Sequence, residues 1–278
     1  MELDNEEEKV TPRTVLGRAL RRERDLVNLS LRALADGLGY PHSYISRVEH
    51  GKQLPSDELA EALDTRFGTR GLFAGLLAME HGLMIPDYSR KVVSKESEAS
   101  RIQVFTSSLV PGLLQTEGYA RELFRKSIPG ESEEACAERV AVRVRRQRIF
   151  ERPDPVFYWA IMDEAALRRP MGTAKNMVGQ MNHLLEMAAR PHITIQVLPF
   201  DKGAYPMLGG SLTIMTLKQG GTIALVESFA SGTGVESAKR VLEFTTRFDS
   251  ARSMALADDE SINLIRTYLK GYGNECDS

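Results

Sequence analysis

The stretch Ser30-Leu-Arg-Ala-Leu-Ala-Asp-Gly-Leu-Gly-Tyr-Pro-His-Ser-Tyr-Ile-Ser-Arg-Val-Glu-His-Gly51 constrains the fold more than any other part of the chain. Ser30 is a good N-cap for a helix over 31–38. Ala35 lies in the middle of that helix, where a small side chain lets a neighbouring helix approach. Gly39 follows four residues later, at a corner where a positive φ is cheap only for glycine. Pro41 stands where a first-turn proline is tolerated, and a second helix is expected over about 42–49. Gly51 ends it in the usual C-terminal position. Ile45 and Val48, three residues apart, point inward and lock this helix against the one before it. Two short helices crossing steeply over a tight turn make a helix-turn-helix.

With Ile45 and Val48 inside, His42, Ser43, Ser46, Arg47 and His50 face out. A helix fits the major groove of B-DNA, and residues near its N-terminus reach base edges. Arg47 has the geometry to donate two parallel bonds to guanine. Ser43 and Ser46 are short enough to approach bases or phosphates, and a helix N-terminus itself favours phosphate. Arg32 and Lys52 flank this face as expected backbone contacts, as do Arg13 and Arg18; such contacts position without specifying. Other roles stay open at this point: Arg47 paired with an acid, His42 as a cap, and Tyr44 either donating to phosphate or covering apolar surface. Glu49 would be repelled by DNA and is expected to pair with an arginine of the first helix, such as Arg21.

Around this element the chain divides into four parts. Residues 1–12 read as a disordered, solvated tail, and 13–85 as an all-α domain of five short helices. Residues 86–100 are polar and aperiodic and read as a linker. Residues 101–278 mix strand and helix patterns. Strands are expected at 156–162, 193–198, 211–217 and 222–228, the last two joined as a hairpin through Lys218-Gln-Gly-Gly221. Helices are expected at about 116–127, 133–150, 173–189, 235–250 and 258–270. Hairpin-joined strands with grouped helices predict an α+β domain with a mainly antiparallel sheet, helices on one face.

Composition narrows the class. Hydrophobic residues make up 42% and charged residues 27% of 278, which excludes disorder over most of the chain. The net charge of −2 argues against a protein that coats nucleic acid non-specifically, without opposing a locally basic face. No apolar run is long enough to span a bilayer, and the acidic N-terminus does not read as a secretory signal. The two cysteines, Cys136 and Cys276, do not make a disulfide framework or a zinc site, which fits a cytoplasmic protein. No phosphate loop, nucleophile elbow or zinc helix appears. Gly232-Thr-Gly234 lacks a third glycine and reads as a loop. Asp163 and Glu164 read as stabilising a helix N-terminus rather than as acid-base catalysts. No catalytic residue, cofactor or metal ligand is therefore expected, and the chain does not read as an enzyme. The arginines of 139–152 (Arg139, Arg143, Arg145, Arg146, Arg148, Arg152) allow a second nucleic-acid surface. They fit better an amphipathic helix with Val140, Val144 and Phe150 inward and the arginines paired with acids such as Glu138 and Asp163.

Leu29-Ser30, Leu34-Ala35, Leu38-Gly39, Ser43-Tyr-Ile-Ser-Arg-Val-Glu49 and Gly51 resemble the XRE, or lambda-repressor-like, helix-turn-helix family. Pro41-His42 departs from its pattern, which usually caps this helix with Ser or Thr. Farther on, Leu109-Val-Pro-Gly-Leu-Leu-Gln-Thr-Glu-Gly-Tyr-Ala-Arg121, Arg143-Val-Arg-Arg-Gln147, Met162-Asp-Glu-Ala-Ala-Leu-Arg-Arg-Pro-Met-Gly172 and Ile193-Thr-Ile-Gln-Val-Leu-Pro-Phe200 resemble the C-terminal domain of actinobacterial WhiJ-like regulators. The resemblance implies a transcription regulator, expected as a homodimeric repressor on double-stranded DNA with a pseudo-palindromic operator. It also implies a small partner protein encoded nearby, in an antitoxin-like arrangement. Two other readings remain: a protein-binding module for which DNA binding is secondary, and a small-molecule sensor.

Overall fold

The computed structural model describes residues 10–229 and 231–276. The chain forms two compact units that divide between Ile85 and Pro86. The tail expected over 1–12 lies outside the described residues as far as residue 9. Beyond that it is not tail: Pro12 is the first residue of a helix, and Thr11 caps it by accepting from the Thr14 N–H at 3.2 Å.

The first unit is five helices: α1 (Pro12–Leu26), α2 (Leu31–Leu38), α3 (His42–Glu49), α4 (Asp57–Phe67) and α5 (Leu72–Leu83). Their ends follow local chemistry. Ser30 and Ser56 accept from the backbone three residues on, at 3.1 and 3.2 Å, and cap α2 and α4. Gly39 closes α2 at φ 73°, a left-handed turn that favours glycine. Leu16, Leu20, Leu34, Ala35, Ile45, Val48, Leu59, Leu63, Phe73 and Leu77 form one buried core. Gly17 carries the closest approach: a Cβ there would lie 2.5 Å from the Glu49 carbonyl oxygen. Helix α1 therefore crosses the C-terminal end of α3 at backbone contact.

The second unit holds a six-stranded sheet in the order β3-β2-β1-β4-β5-β6. The strands are β1 (Ala99–Thr106), β2 (Phe157–Asp163), β3 (Ile193–Leu198), β4 (Ser211–Leu217), β5 (Thr222–Glu227) and β6 (Gly232–Val235). Strands β1, β2 and β3 run parallel, and β4, β5 and β6 are antiparallel to their neighbours. The sheet is thus mixed, not mainly antiparallel. Parallel neighbours need long crossovers. Helices α7 (Glu117–Ser127) and α8 (Glu133–Arg145) fill the first, and α9 (Ala165–Arg168) and α10 (Ala174–Ala188) the second. Helices α11 (Ala238–Met254) and α12 (Asp258–Cys276) end the chain.

Two further expectations change. Residues 86–100 are not a linker: α6 (Asp87–Val93) lies there, with Val92 buried in the core, and β1 begins at Ala99. Gly232-Thr-Gly234 is not a loop but most of β6, where absent side chains admit α6: a Cβ on Gly232 would sit 2.4 Å from Tyr88. Helices also cover both faces. Ile102, Val104, Tyr158, Ala160, Met162, Ile193, Ile195 and Val197 share one core with residues of α7, α10 and α12. Phe105, Ile161, Leu198, Leu212, Ile214 and Ala224 share another with Val241, Phe248 and Ala251 of α11.

The Gly17 contact makes a clear prediction. Gly17→Ala must push α1 off α3, at a cost of about 1–3 kcal/mol. In urea unfolding of the full chain, the transition belonging to the helical unit shifts to lower denaturant, and that of the second unit does not move.

Candidate nucleic-acid interface

Helix α3 is held from behind. Ile45 and Val48 are buried, and Glu49, the acid on this helix, has a side chain only 1% exposed. Its carboxylate takes Arg24 Nε at 2.9 Å and Arg24 Nη2 at 3.1 Å, and Arg21 Nε at 3.2 Å. The pairing expected with Arg21 exists, but Arg24 is the main partner. Arg21 and Arg24 are three apart on α1 and so share a face, the spacing that makes both partners legible. Arg24 also donates from Nη1 to the Leu29 carbonyl at 2.9 Å, tying the α1–α2 corner to the same acid. Burial pushes the Glu49 carboxyl up; the hydrogen bonds and charges of Arg24 and Arg21 outweigh it and hold the group below its ordinary range.

The outer side of α3 presents His42, Ser43, Arg47 and His50, all exposed, with Ser46 half-buried. Arg47 donates from Nε to Gln53 Oε1 at 2.7 Å. His50 Nδ1 lies 2.7 Å from the Ser46 carbonyl, and its Nε2 lies 3.5 Å from Arg21. Arg32, His42, Ser43 and Lys52 have no side-chain hydrogen bond or ion pair among the described residues. Pro41 is the N-cap of α3 and supplies no side-chain bond, so no side chain caps this helix end.

Two of the expected contacts are placed elsewhere. The Tyr44 hydroxyl accepts from the Ser56 N–H at 2.7 Å and donates to the Leu54 carbonyl at 3.4 Å. It fastens the loop between α3 and α4, and its ring lies 5.8 Å from that of Tyr40. Burial pushes this hydroxyl up. Arg13 is drawn to Glu80 on α5, Nε to Oε1 at 3.2 Å, and braces α1. Gln53 went unread in the sequence, since nothing in its spacing marks it as the partner of Arg47. Charge separates along the first unit: residues 13–52 hold eight arginines and lysines against four acids, and residues 53–85 hold two against five. The α1–α3 part is therefore the basic one.

In the second unit several arginines of 139–152 are spent internally, on partners that include acids the sequence did not single out. Arg139 pairs with Glu131 at 2.9 Å and Arg146 with Glu96 at 2.6 Å, while Arg152 donates to the Ser97 carbonyl at 2.7 Å. Asp163 accepts from the Ala165 N–H at 2.7 Å, opening α9, and from Tyr205 at 2.8 Å. Glu164 accepts from Tyr268 at 2.7 Å and the Phe200 N–H at 2.9 Å. Both carboxylates are used in packing. Among the described residues no helix is long and apolar enough to cross a membrane, and no group of three His, Cys, Asp or Glu is placed to hold a metal ion.

Comparison with known proteins gives two matches. Residues 15–72 match the family described as a helix-turn-helix domain, and residues 89–267 match the family described as a domain of unknown function, DUF5753. No curated protein and no solved structure matches.

The pH dependence follows from Glu49 and Asp64. Burial pushes Asp64 up, but the Thr69 hydroxyl and the N–H groups of Ala74, Phe73 and Gly71 hold it below its ordinary range, at the start of α5. A carboxylate with a lower pKa folded than unfolded stabilises fully above its unfolded value of about 4, and the contribution is lost as pH falls through the folded value. The melting temperature of the helical unit, followed by circular dichroism, is therefore level near neutrality and drops below about pH 4. Glu49→Gln removes the acid that Arg21 and Arg24 share and costs about 3–5 kcal/mol at pH 7.

Proposed function

For a chain that belongs to the DUF5753 family and carries a helix-turn-helix domain ahead of it, we propose sequence-specific binding to double-stranded DNA as a transcription regulator. The observation that carries this reading is the outer side of α3: hydrogen-bonding side chains outside, apolar residues inside, and the acid of the helix buried and doubly paired. Arg47 reads a base edge, with Ser43, Ser46, His42 and His50 beside it. Arg32 and Lys52 hold phosphates, and the N-terminus of α3 favours a phosphate of its own. Tyr44 shapes the loop and touches no DNA.

The reading extends to a homodimer on a pseudo-palindrome, with two α3 helices about 34–36 Å apart. Exposed Leu72, Met79 and Leu83 on α5 support self-association. Such a dimer blocks the groove it occupies, which favours a cytoplasmic repressor. The second unit, much larger than dimerisation needs, takes the regulatory partner. Likeness to WhiJ-like regulators favours a small protein encoded nearby, in an antitoxin-like pair; a small molecule is the other candidate. No enzymatic step is assigned.

Sites mapped across the genome supply an operator duplex, and fluorescence anisotropy then compares it with a scrambled one. Arg47→Ala is expected to lose about 1–3 kcal/mol on the operator and to relax preference at one base pair. Arg32→Ala and Lys52→Ala weaken both duplexes alike, each lowering the salt slope by about one. Equal binding of the unaltered protein to both duplexes defeats the reading. Co-purification of a neighbouring gene product tests the partner protein.

A further inference from the structure

Part of β4 in the sheet of the second unit is incompletely covered. On β4, Leu212 and Ile214 are buried on one face. Ser211 and Thr213 point to the other and stay half-exposed, although β4 lies between β1 and β5. Ser211 pairs in register with Thr106, the last residue of β1, and with Glu227 on β5. This places all three residues at the carboxyl end of β1. There the chain crosses over toward β2 on one side while β4 pairs on the other. In open α/β sheets such a switch point is where ligands bind.

Two walls flank this floor. The Tyr88 ring, from α6, lies on Gly232, which is the register partner of Glu227. Arg143, from α8, lies against Gly112, donates from Nη1 to Gln115 Oε1 at 2.8 Å, and stacks 5.0 Å from the centre of Phe124. The loop that receives it is fastened in turn. Gln115 Nε2 donates to the Val110 carbonyl at 2.8 Å, and Gln147 Nε2 to the Gln115 carbonyl at 2.6 Å. The Pro-Gly-Leu-Leu-Gln segment and the Arg143–Gln147 spacing thus serve one end: they aim a guanidinium.

That guanidinium is held by a neutral amide and an aromatic ring, with no carboxylate in contact among the described residues. Arg146, one turn on, is bound by both Glu96 oxygens, whereas Arg143 makes no ion pair among the described residues. Burial lowers Arg143 to about 10, Arg146 adds to this, and Glu96 and Glu227 oppose it. Burial raises Glu227, against the pull of Arg146 and Arg143. The Glu227 carboxylate and the hydroxyls of Ser211, Thr213 and Tyr88 make no hydrogen bond among the described residues. The guanidinium and the carboxylate feel each other's charge but form no ion pair, so a ligand charged at both ends can meet each of them directly. An anion serves only the first, and a neutral molecule serves neither.

We propose that this cluster binds a small zwitterion, with its carboxylate on Arg143, its ammonium on Glu227, and hydroxyl contacts from Ser211, Thr213 and Tyr88. The proposal deepens the reading of the second unit as the seat of the regulatory partner and rests on it for its biological role. Binding itself is measured without DNA. The full chain is screened by thermal unfolding, then calorimetry, against single free L-amino acids, with acetate and ethylammonium as half-ligands. At saturation at least one amino acid is expected to raise the melting temperature of the second unit by about 3–8 °C. Glu227→Gln, which removes no internal bond, weakens that amino acid at least about tenfold, as does Arg143→Lys. No binding by any amino acid overturns the proposal. So does acetate binding as well as the amino acids with Glu227→Gln without effect. The two readings fail separately: Arg47→Ala abolishes operator preference and leaves the titration unchanged, and Glu227→Gln does the reverse.

Discussion

The first unit depends on one buried carboxylate. Glu49 stands at the end of α3 and is gripped by Arg24 and Arg21 of α1, while Arg24 also holds the α1–α2 corner through Leu29. Gly17 lets the two backbones meet at that point. The arrangement answers two needs together. It fixes the angle of α3 against its neighbours, and it hides the negative charge of the helix on the side away from solvent. A charge so deeply placed is costly unless it is matched, and here two guanidinium groups match it.

The second unit rests on a different constraint, the central place of β1. This strand is parallel to β2 and antiparallel to β4, so it joins a crossover half of the sheet to a hairpin half. The β1–β4 ladder joins the two halves, and the Lys218 N–H adds a backbone bond to the Glu98 carbonyl just before β1. The segment leaving β1 starts at this seam, with the half-exposed Ser211 of β4 opposite the last residue of that strand in register. Gly232 and Gly234, with no side chains to interfere, let α6 lie across the hairpin half.

The helical unit was legible because its signals are local. Ser30, Gly39, Ser56 and Gly51 act within one turn of their own positions, and Ile45 and Val48 need only the helical period to be placed inside. The sheet was legible strand by strand but not in its pairing. The β4–β5 hairpin shows in sequence because Gly220 and Gly221 make the turn. Strand β1 was not among the expected strands: its first two residues fall in the segment read as a linker and the rest just beyond it, and without it the parallel half has no anchor. Helix α6 went unread for a related reason: its packing depends on glycines more than 140 residues away. On α3 itself the outward set followed from the period alone. The internal use of Tyr44 and the bond from Arg47 to Gln53 did not, since both depend on where the following loop returns.

That last bond has a dynamic consequence. An arginine on a helix surface ordinarily samples many rotamers, and freezing them on association is unfavourable. Gln53 holds the Arg47 side chain by its inner nitrogen, and the two outer nitrogens carry no bond among the described residues. The planar fork is thus presented edge-on before any ligand arrives. Preorganisation of this kind leaves less disorder to be removed on contact, and its benefit falls on how long a matched complex survives rather than on how fast it forms.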